Sequence, residues 1–311
     1  MKKLMLKNPS FEYLEKGFEE WLSVQGYSKS TVYNLPHHVR ELLYYLEQKG
    51  LTSIQQLELI HFKKYYQQLE QRANDRRDGG ISSAHLNKHG QAMKRFVEYL
   101  NLTGKMQLGD LKIDTIQVDG RIEWLTVEEI EALFAASFKQ NDYNFKEDQE
   151  TFGARDRAML AIFYGCGLRR NEGVKLDKAD VDFDKNIIHV RSGKGGKERF
   201  VPFGGKCRKY LLEYTFDHRP RLIMGNHDAL FVGKTGKRLQ GQTLNLRLKA
   251  LQAKSDYADL MDKEIGLHTL RHSIATHLLS AGMQIESIAR FLGHDSLEST
   301  QIYTHLIDKD Q

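Results

Sequence analysis

The sequence predicts a mainly α-helical protein with a small antiparallel β-sheet, and three features of the sequence support that prediction. Apolar residues recur every three or four positions through the first hundred residues, as they do in amphipathic helices. The same helical spacing returns after residue 123 and governs most of the remaining chain. Between Val181 and Pro202 the pattern changes to short runs of Val, Ile and Phe, which are typical of β-strands.

The chain is long enough, at 311 residues, for two domains that each have a core. Helical periodicity is lost between Gly104 and Gly120. We therefore predict an N-terminal helical domain over residues 1–105, a linker over 106–122 and a second domain over 123–311. Near the start of that second domain, Thr126 and Glu129 have the spacing of a capping box, in which each side chain bonds the other residue's backbone N–H.

Four helices are predicted in the N-terminal domain. Pro36 lies inside the second of them and lacks a backbone donor, so it should kink that helix or delay its start. The polar run at 74–80 predicts a loop between the third and the fourth. The predicted helices are Phe11–Gln25, a segment that begins after a cap at Ser28 or Ser30 and reaches Gln48, Leu57–Leu69 and Ala84–Leu100.

In the second domain the predicted elements alternate between buried and polar segments. Lys139–Gly153 is polar and predicts a loop, whereas Arg155–Tyr164 predicts a buried helix. Three short strands follow between Val181 and Pro202. The glycine- and lysine-rich run before the last strand predicts a tight β-turn; a phosphate-binding P-loop would need Ser or Thr directly after its Gly-Lys pair, and this run has neither there. Two amphipathic helices, Lys206–Phe216 and Thr243–Ala253, complete the packing of the domain.

The segment from Gly266 to His305 carries residues suited to chemistry. His268 and Arg271 share one face of a predicted helix that ends at Ala281-Gly282. A second helix is predicted over Ile285–Leu292 and stops at Gly293. A third helix, which Asp295 or Ser296 can cap, is predicted to carry Tyr303.

These residue types together favour reaction with a phosphodiester. Arginine offers a planar fork of donors that matches phosphate, and histidine can donate to phosphoryl oxygens. Tyrosine is a potential nucleophile whose pKa, about 10, calls for neighbouring positive charge. The pattern therefore predicts attack of a phenolic oxygen on phosphate. The alternative is that each residue is ordinary: a capping His, a surface Arg and a packed Tyr.

The order His-x-x-Arg, then Leu-Gly-His, then Tyr nine residues after that histidine resembles the C-terminal signature of the tyrosine recombinases, the phage-integrase and Xer-type family. This sequence meets the signature at His268, Arg271, His294 and Tyr303. The resemblance extends to Arg169, which stands in a Gly-Leu-Arg-x-Asn-Glu setting where the family usually has Ser in place of Asn171. The side chains of Ser and Asn are both short and can form hydrogen bonds to nearby backbone groups, so we expect the turn to form with Asn171 as well.

The resemblance implies an N-terminal core-binding, SAM-like domain that grips one face of DNA, and an α+β catalytic domain. It also implies that Tyr303 attacks the scissile phosphate and forms a 3′-phosphotyrosine bond. The resemblance further implies a phosphate clamp formed by Arg169, Arg271 and His294, and a general acid, Lys194, carried by a mobile hairpin. His268 would assist the phenol or bind the phosphate, and the Glu172 carboxylate would orient an arginine. DNA contacts are implied for Arg170, Lys197 and Arg199, with ordinary solvated charge as the alternative for Lys197 and Arg199.

The expected partners are double-stranded DNA with specific recombination sites and further copies of this chain, in a tetrameric synapse on two sites, with accessory proteins possible. We expect neither ATP nor another cofactor, because the covalent link stores the energy of the phosphodiester. We expect no metal either: His268, His272 and His277 lack the His-Glu-x-x-His order of a zinc protease. A net charge of +5 suits a polyanionic partner but is common in other proteins.

The sequence shows no apolar run near the ~20 residues of a membrane span, and its first ten residues hold too few apolar side chains for a signal peptide. Its two cysteines do not make a disulfide framework. We therefore expect a cytoplasmic, nucleoid-associated bacterial protein without a membrane partner. Two other functions share the motif: a type IB topoisomerase-like or hairpin-forming enzyme, which rejoins DNA differently, and a DNA-binding relative without catalysis.

Overall fold

The computed structural model describes residues 4–73, 79–117, 122–139, 146–191, 198–294 and 296–303. Contacts divide the chain into two units, residues 1–120 and residues 121–311. Within the described residues, no helix is both long and apolar enough to cross a lipid bilayer.

The first unit is built from the four predicted helices, and their existence is confirmed. Their apolar stripes meet in a core that includes Phe18, Leu42, Phe62 and Phe96, each 0 % exposed. Ser28 and Ser82 accept hydrogen bonds from backbone N–H groups in the first turns of the second and fourth helices. The helices are α1 (Pro9–Val24), α2 (Lys29–Gln48), α3 (Leu59–Gln71), preceded by a 3₁₀ turn at Ile54–Gln56, and α4 (Ser83–Leu102).

Pro36 does not delay the start of α2, so that part of the prediction is wrong. The helix begins at Lys29, directly after its Ser28 cap, and Pro36 lies inside it. Leu35 and Val39 on either side of Pro36 are 5 % and 0 % exposed. Burial of this face in the core offsets the lost backbone donor, which is how tertiary packing overrides intrinsic propensity.

The segment after α4 has no regular secondary structure through residue 117, and it packs against the first unit. Leu111 is 3 % exposed in the core of that unit. The Asn101 side chain donates to the Leu108 carbonyl and accepts from the Leu108 N–H, at 2.9 and 2.7 Å. Asn87 makes the same pair of bonds with the backbone of Ile116, at 2.8 and 2.9 Å. These bonds tie the predicted linker to α4 along much of its described length.

The second unit contains the helices and the small sheet that the sequence predicts, which confirms the fold class. The capping box at its first helix is present: Thr126 Oγ1 accepts from the Glu129 N–H at 3.3 Å and Glu129 Oε2 accepts from the Thr126 N–H at 2.8 Å. Its elements are α5 (Val127–Ala136), α6 (Lys146–Leu160) running into a π-helical turn (Ala161–Gly165), α7 (Arg170–Lys175), a 3₁₀ turn (Lys178–Asp180), β1 (Val181–Asp182), β2 (Ile187–Val190), β3 (Arg199–Pro202), α8 (Gly205–Leu212) running into a π-helical turn (Glu213–His218), α9 (Arg219–Leu222), α10 (Gly241–Lys254), α11 (Ala258–Met261), α12 (Leu267–Ser280), α13 (Ile285–Leu292) and α14 (Glu298–Gln301).

The three strands form one antiparallel sheet in the order β1-β2-β3. Ile188 pairs with Val181 on one side and with Val201 on the other. Ile188, Val190 and Val201 are each at most 2 % exposed, so one face of the sheet belongs to the core. The three predicted strands are confirmed, and the β-turn predicted between β2 and β3 falls largely on residues 192–197, outside the described residues.

The loop predicted over Lys139–Gly153 is wrong from Lys146 onward, because α6 begins there. The polar and charged composition of this stretch is typical of a loop, but Lys, Glu and Gln are also good helix formers. From Thr151 onward the helix enters the core, where Phe152 is 3 % exposed. The buried helix predicted from Arg155 is confirmed, and its π-helical end leads directly to the Gly-Leu-Arg motif.

Candidate active site

The turn after α6 carries the first arginine of the site. Gly167 has φ +59°, and a Cβ built there would lie 2.8 Å from Leu292 Cδ2. A side chain is therefore excluded both by backbone conformation and by the close approach of α13. Arg169 follows as the N-terminal cap of α7. Its Nη2 donates to the Gly293 carbonyl at 2.7 Å, and its Nη1 donates to Glu172 Oε1 at 2.9 Å.

Arg271, on α12, binds the same helix end as Arg169. Arg271 Nη1 donates to the Gly167 carbonyl at 2.6 Å and Nη2 donates to the Leu292 carbonyl at 2.9 Å. The last carbonyls of a helix lack intrahelical partners and carry the negative end of the helix dipole. The C-terminus of α13 is therefore a cradle for two guanidinium groups. Arg271 is 3 % exposed, so its orientation is held on all sides.

Glu172 joins Arg169 to a third arginine from the sheet. Arg199 donates from Nη1 and Nη2 to the two carboxylate oxygens of Glu172, at 3.0 and 2.8 Å. Burial opposes ionisation of Glu172, but the hydrogen bonds and charges of Arg199 and Arg169 outweigh it and lower its pKa to about 2. Three arginines with one carboxylate leave the site strongly positive, which suits a phosphate ligand.

Tyr303 lies in a small apolar cluster between α12 and α13, and it is 1 % exposed. Its hydroxyl is hydrogen-bonded to His272 Nδ1 at 2.9 Å. The ring of His294 stacks beside the phenol, with centroids 6.5 Å apart and planes at 16°. His294 Nδ1 is in turn held by Thr300 Oγ1 at 2.7 Å. The phenol thus lies between two histidines, one bonded to its oxygen and one along its face.

Burial and the arginines act in opposite directions on the phenol. Burial raises the pKa of Tyr303, and the charges of Arg271 and Arg169 lower it without cancelling that effect. Burial, followed by positive neighbours, lowers the pKa of His272 and of His294 to about 4. Both imidazoles are therefore neutral at pH 7. Burial and then the charge of Arg169 lower the pKa of Arg271 to about 9, which leaves it protonated at pH 7.

Four of the predicted catalytic residues come together around the end of α13: Arg169, Arg271, His294 and Tyr303. The sequence also predicts α13 and its end at Gly293, and both are confirmed. Gly293 has φ +66°, and a Cβ there would lie 2.8 Å from Arg199 Cδ. Glycine is needed at this position by conformation and by contact together.

The remaining predicted residues lie at the edge of this cluster or outside the described residues. His268 is exposed one turn before Arg271 on α12; desolvation within the site and then the charge of Arg271 lower the pKa of His268. Arg170 is exposed in the first turn of α7. Arg199 is not a freely solvated charge, because its side chain is 14 % exposed and committed to Glu172. Lys194 and Lys197 fall within residues 192–197, which the structure does not describe.

The predicted third helix is wrong in two respects. Among the described residues no side chain caps it: the residue before α14 is Leu297, and Ser296 Oγ instead lies 3.3 Å from Ser299 Oγ. Asp295, the other predicted cap, lies outside the described residues. The helix also ends at Gln301, so Tyr303 follows it and does not stand on it. Local propensity favoured a longer helix, but the turn at its end lets the phenol pack between α12 and α13.

Sequence reasoning missed the partner of the phenol. The sequence indicates His272 only as one of three histidines in a potential metal motif, whereas in the structure His272 contacts the Tyr303 hydroxyl. The available signal was that His272 follows His268 by one helical turn, which places both on one face of α12. His277 has a different partner: its Nδ1 is hydrogen-bonded to the Tyr164 hydroxyl at 2.9 Å.

The chain is similar to known proteins over most of its length. The phage integrase family model matches residues 123–310. Tyrosine recombinase XerC 2 of Ralstonia nicotianae is 30 % identical over 299 residues, covering 94 % of this chain and 81 % of that protein. Tyrosine recombinase XerD of Corynebacterium glutamicum is 31 % identical over 288 residues, covering 91 % of this chain and 89 % of that protein. The fold is similar to that of the XerH site-specific recombinase in a pre-cleavage complex with its difH substrate, with a TM-score of 0.71, 19 % identity, and coverage of 99 % of this chain and 97 % of that one.

The fold and the relatives together define a class of enzymes that cleave and rejoin DNA. Within that class the chain belongs to the phage integrase family, as a Xer-like tyrosine recombinase. The predicted family and the predicted function of a site-specific recombinase are thereby confirmed.

Proposed function

We propose that this recombinase cleaves DNA by attack of Tyr303 on the scissile phosphate, which forms a 3′-phosphotyrosine bond and releases a 5′-hydroxyl. One observation carries the proposal: the carbonyls of Leu292 and Gly293 hold Arg271 and Arg169 at the same helix end that packs against Tyr303. The packing that buries the nucleophile and the bonds that position both arginines therefore depend on one element, α13.

The two arginines bind the non-bridging oxygens of the phosphate, where negative charge increases in the transition state. Their orientation is set before DNA arrives, because each guanidinium is bonded to backbone carbonyls. Preorganised donors of this kind need little rearrangement during the reaction, which is why they are effective. His294 supplies a further hydrogen bond to the same oxygens.

His272 accepts the phenolic proton as Tyr303 attacks. A neutral imidazole at 2.9 Å from the hydroxyl has the protonation state and the reach of a general base, in the tautomer whose Nδ1 is unprotonated. His268, which is exposed at the edge of the site, binds the phosphate, the second of the two roles left open for it. The phosphate also introduces negative charge, and this charge makes protonation of the histidines easier.

Lys194 donates a proton to the leaving 5′-oxygen, which would otherwise depart as a high-pKa alkoxide. Glu172 orients Arg169. Arg170 and Lys197 contact the DNA backbone, and Arg199 adds its charge to the site from its place on Glu172. Rejoining reverses these steps with a 5′-hydroxyl from a second duplex, and the energy of the phosphodiester is retained in the covalent bond, so ATP is not required.

The partner is double-stranded DNA carrying specific recombination sites, on which four copies of the chain assemble as a synaptic tetramer. The similarity to Xer recombinases that act on such substrates supports this partner. The reaction takes place in the bacterial cytoplasm, on the nucleoid.

The test is covalent trapping on a nicked DNA site with Tyr303→Phe. The variant should bind the site but form no covalent protein–DNA adduct, because only the nucleophilic oxygen is lost. Tyr164→Phe is a matched control, since it also removes a tyrosine hydroxyl bonded at 2.9 Å to a histidine Nδ1 on α12. The control should still form the adduct, and an adduct that persisted in Tyr303→Phe would assign the attack to another residue.

A further inference from the structure

Three histidines converge in the first unit, a part of the chain to which the strand-transfer chemistry gives no role. His38 lies on α2, and His85 and His89 lie one turn apart on α4. His38 Nδ1 is 3.2 Å from His89 Nε2, and His85 Nε2 is 3.3 Å from the same atom. One ring nitrogen from each of the three lies within 4.8 Å of the others. His89 is 0 % exposed, whereas His38 and His85 are half-buried, so the cluster extends from the interior of the unit towards its surface.

These nitrogen–nitrogen distances match those around a tetrahedral metal ion. Zinc binds imidazole nitrogen at about 2.0–2.1 Å, which separates two tetrahedral ligands by about 3.3–3.4 Å. A network of hydrogen bonds among neutral histidines is the alternative. It explains the convergence less well, because His89 Nε2 has either one lone pair or one N–H and would have to share it between two rings at once.

The surroundings of the three rings resemble the outer shell of a metal site. The Tyr65 hydroxyl is 3.3 Å from His89 Nδ1, the nitrogen that would face away from the ion. Metal-binding histidines generally use that second nitrogen for a hydrogen bond that fixes the tautomer and the ring orientation. Glu41 Oε2 lies 3.8 Å from His89 Nε2, and Arg72 binds the other oxygen of that carboxylate. A carboxylate is thus in reach of the fourth coordination position.

The three side chains also supply the donor atoms that such an ion prefers. Neutral imidazole is the form that ligates a metal, and three imidazoles are a ligand set suited to zinc.

We propose that His38, His85 and His89 bind one Zn²⁺ ion, with Glu41 or a water molecule as the fourth ligand. This proposal departs from the sequence-based expectation that the chain binds no metal. The ion cross-links α2 to α4 and stabilises the helical unit. It takes no part in DNA cleavage, and its ligands all belong to the first unit.

The test uses the untagged full-length chain, freed of metal with a chelator and then titrated with Co²⁺. Cobalt in a tetrahedral histidine site gives visible absorption bands, and these should saturate at about one ion per chain and disappear when Zn²⁺ is added. Zn²⁺ should also raise the Tm of the metal-free protein, because it binds only the folded state.

Two ligand variants and a control identify the site. His38→Ala and His85→Ala should each weaken Co²⁺ binding by roughly tenfold or more, and Zn²⁺ should no longer raise their Tm. His37→Ala is the matched control, because His37 is exposed and adjacent to His38 on the same helix. It should leave the affinity unchanged.

Either of two results would overturn the proposal. One is the absence of a saturable tetrahedral cobalt spectrum in the wild-type chain. This result does not depend on whether any variant folds. The other is an undiminished affinity in His38→Ala and His85→Ala, which would place the ion elsewhere in the chain. Circular dichroism of the metal-free variants verifies that their loss of binding does not come from loss of the fold.

Discussion

Replacing Glu172 by Gln should destabilise the second unit by about 3 kcal/mol. The Glu172 side chain is 3 % exposed and accepts hydrogen bonds from Arg169 and Arg199. The substitution keeps the shape of the side chain but removes its charge. It therefore leaves two guanidinium groups facing a neutral amide inside the protein, while the volume of the side chain stays almost the same.

The magnitude follows from the pKa of the carboxyl group. The arginines lower that pKa from 4.5 to about 2, and each pKa unit corresponds to about 1.4 kcal/mol. A result near 3 kcal/mol also agrees with the roughly 3–5 kcal/mol lost when one partner of a buried ion pair is removed. Because the folded-state pKa is depressed, this stability is fully present above pH 4.5 and is lost as the pH falls through 2. The difference in the free energy of unfolding between wild type and Glu172→Gln should therefore be the same at pH 5 and at pH 8.

Thermal unfolding measures the effect. For a domain of about 150–250 residues, 3 kcal/mol corresponds to a Tm decrease of roughly 6–12 °C. Glu198→Gln is the matched control, since it makes the same charge change one residue before Arg199 on a side chain that is 61 % exposed. Its Tm should change little, as expected of exposed ion pairs. Equal Tm values for the two variants, or a gap that differs between pH 5 and pH 8, would refute this account of Glu172.

Two further predictions concern the remaining parts of the site. Gly293→Ala should lower the free energy of unfolding by roughly 1–2 kcal/mol because of the positive φ, and it should also lose cleavage activity because the new Cβ would lie 2.8 Å from Arg199 Cδ. Gly282→Ala is the control: its φ of +84° is similar but nothing lies within 4 Å, so it should lose stability and keep cleavage. Equal cleavage activity in the two variants would contradict the role of the Arg199 contact. Lys194→Ala should slow cleavage of an ordinary site far more than cleavage of a 5′-bridging phosphorothiolate, whose leaving sulfur needs no proton; equal slowing of both substrates would show that Lys194 is not the general acid.

Much of the secondary structure could be predicted from the sequence, because its signals are local. Helical periodicity located α1 to α4, and a glycine after an apolar run located the end of α13 at Gly293. The prediction failed where local and tertiary preferences differ. Lys146–Gly153 is too charged to be recognised as helix, and α2 starts at Lys29 although Pro36 lies inside it between buried neighbours.

The catalytic residue types were also predictable, since their spacing along the chain is a pattern that needs no structure to read. Arg169, Arg271, His294 and Tyr303 were all named from that pattern, and their roles stay predictions that the variants above test. The position of Lys194 lies outside the described residues, so the hairpin that carries it also stays a prediction.

The sequence by itself determined which elements form and which residues are chemically suited to react with a phosphate, because both depend on neighbours along the chain. Only the tertiary structure decided which groups meet. It bonded the Tyr303 hydroxyl to His272, committed Arg199 to Glu172 and brought His38 to His85 and His89. These pairs are separated by 27 to 51 positions in sequence, so their contacts depend on how helices and strands pack. That packing is a property of the whole core and cannot be read from any short stretch of sequence.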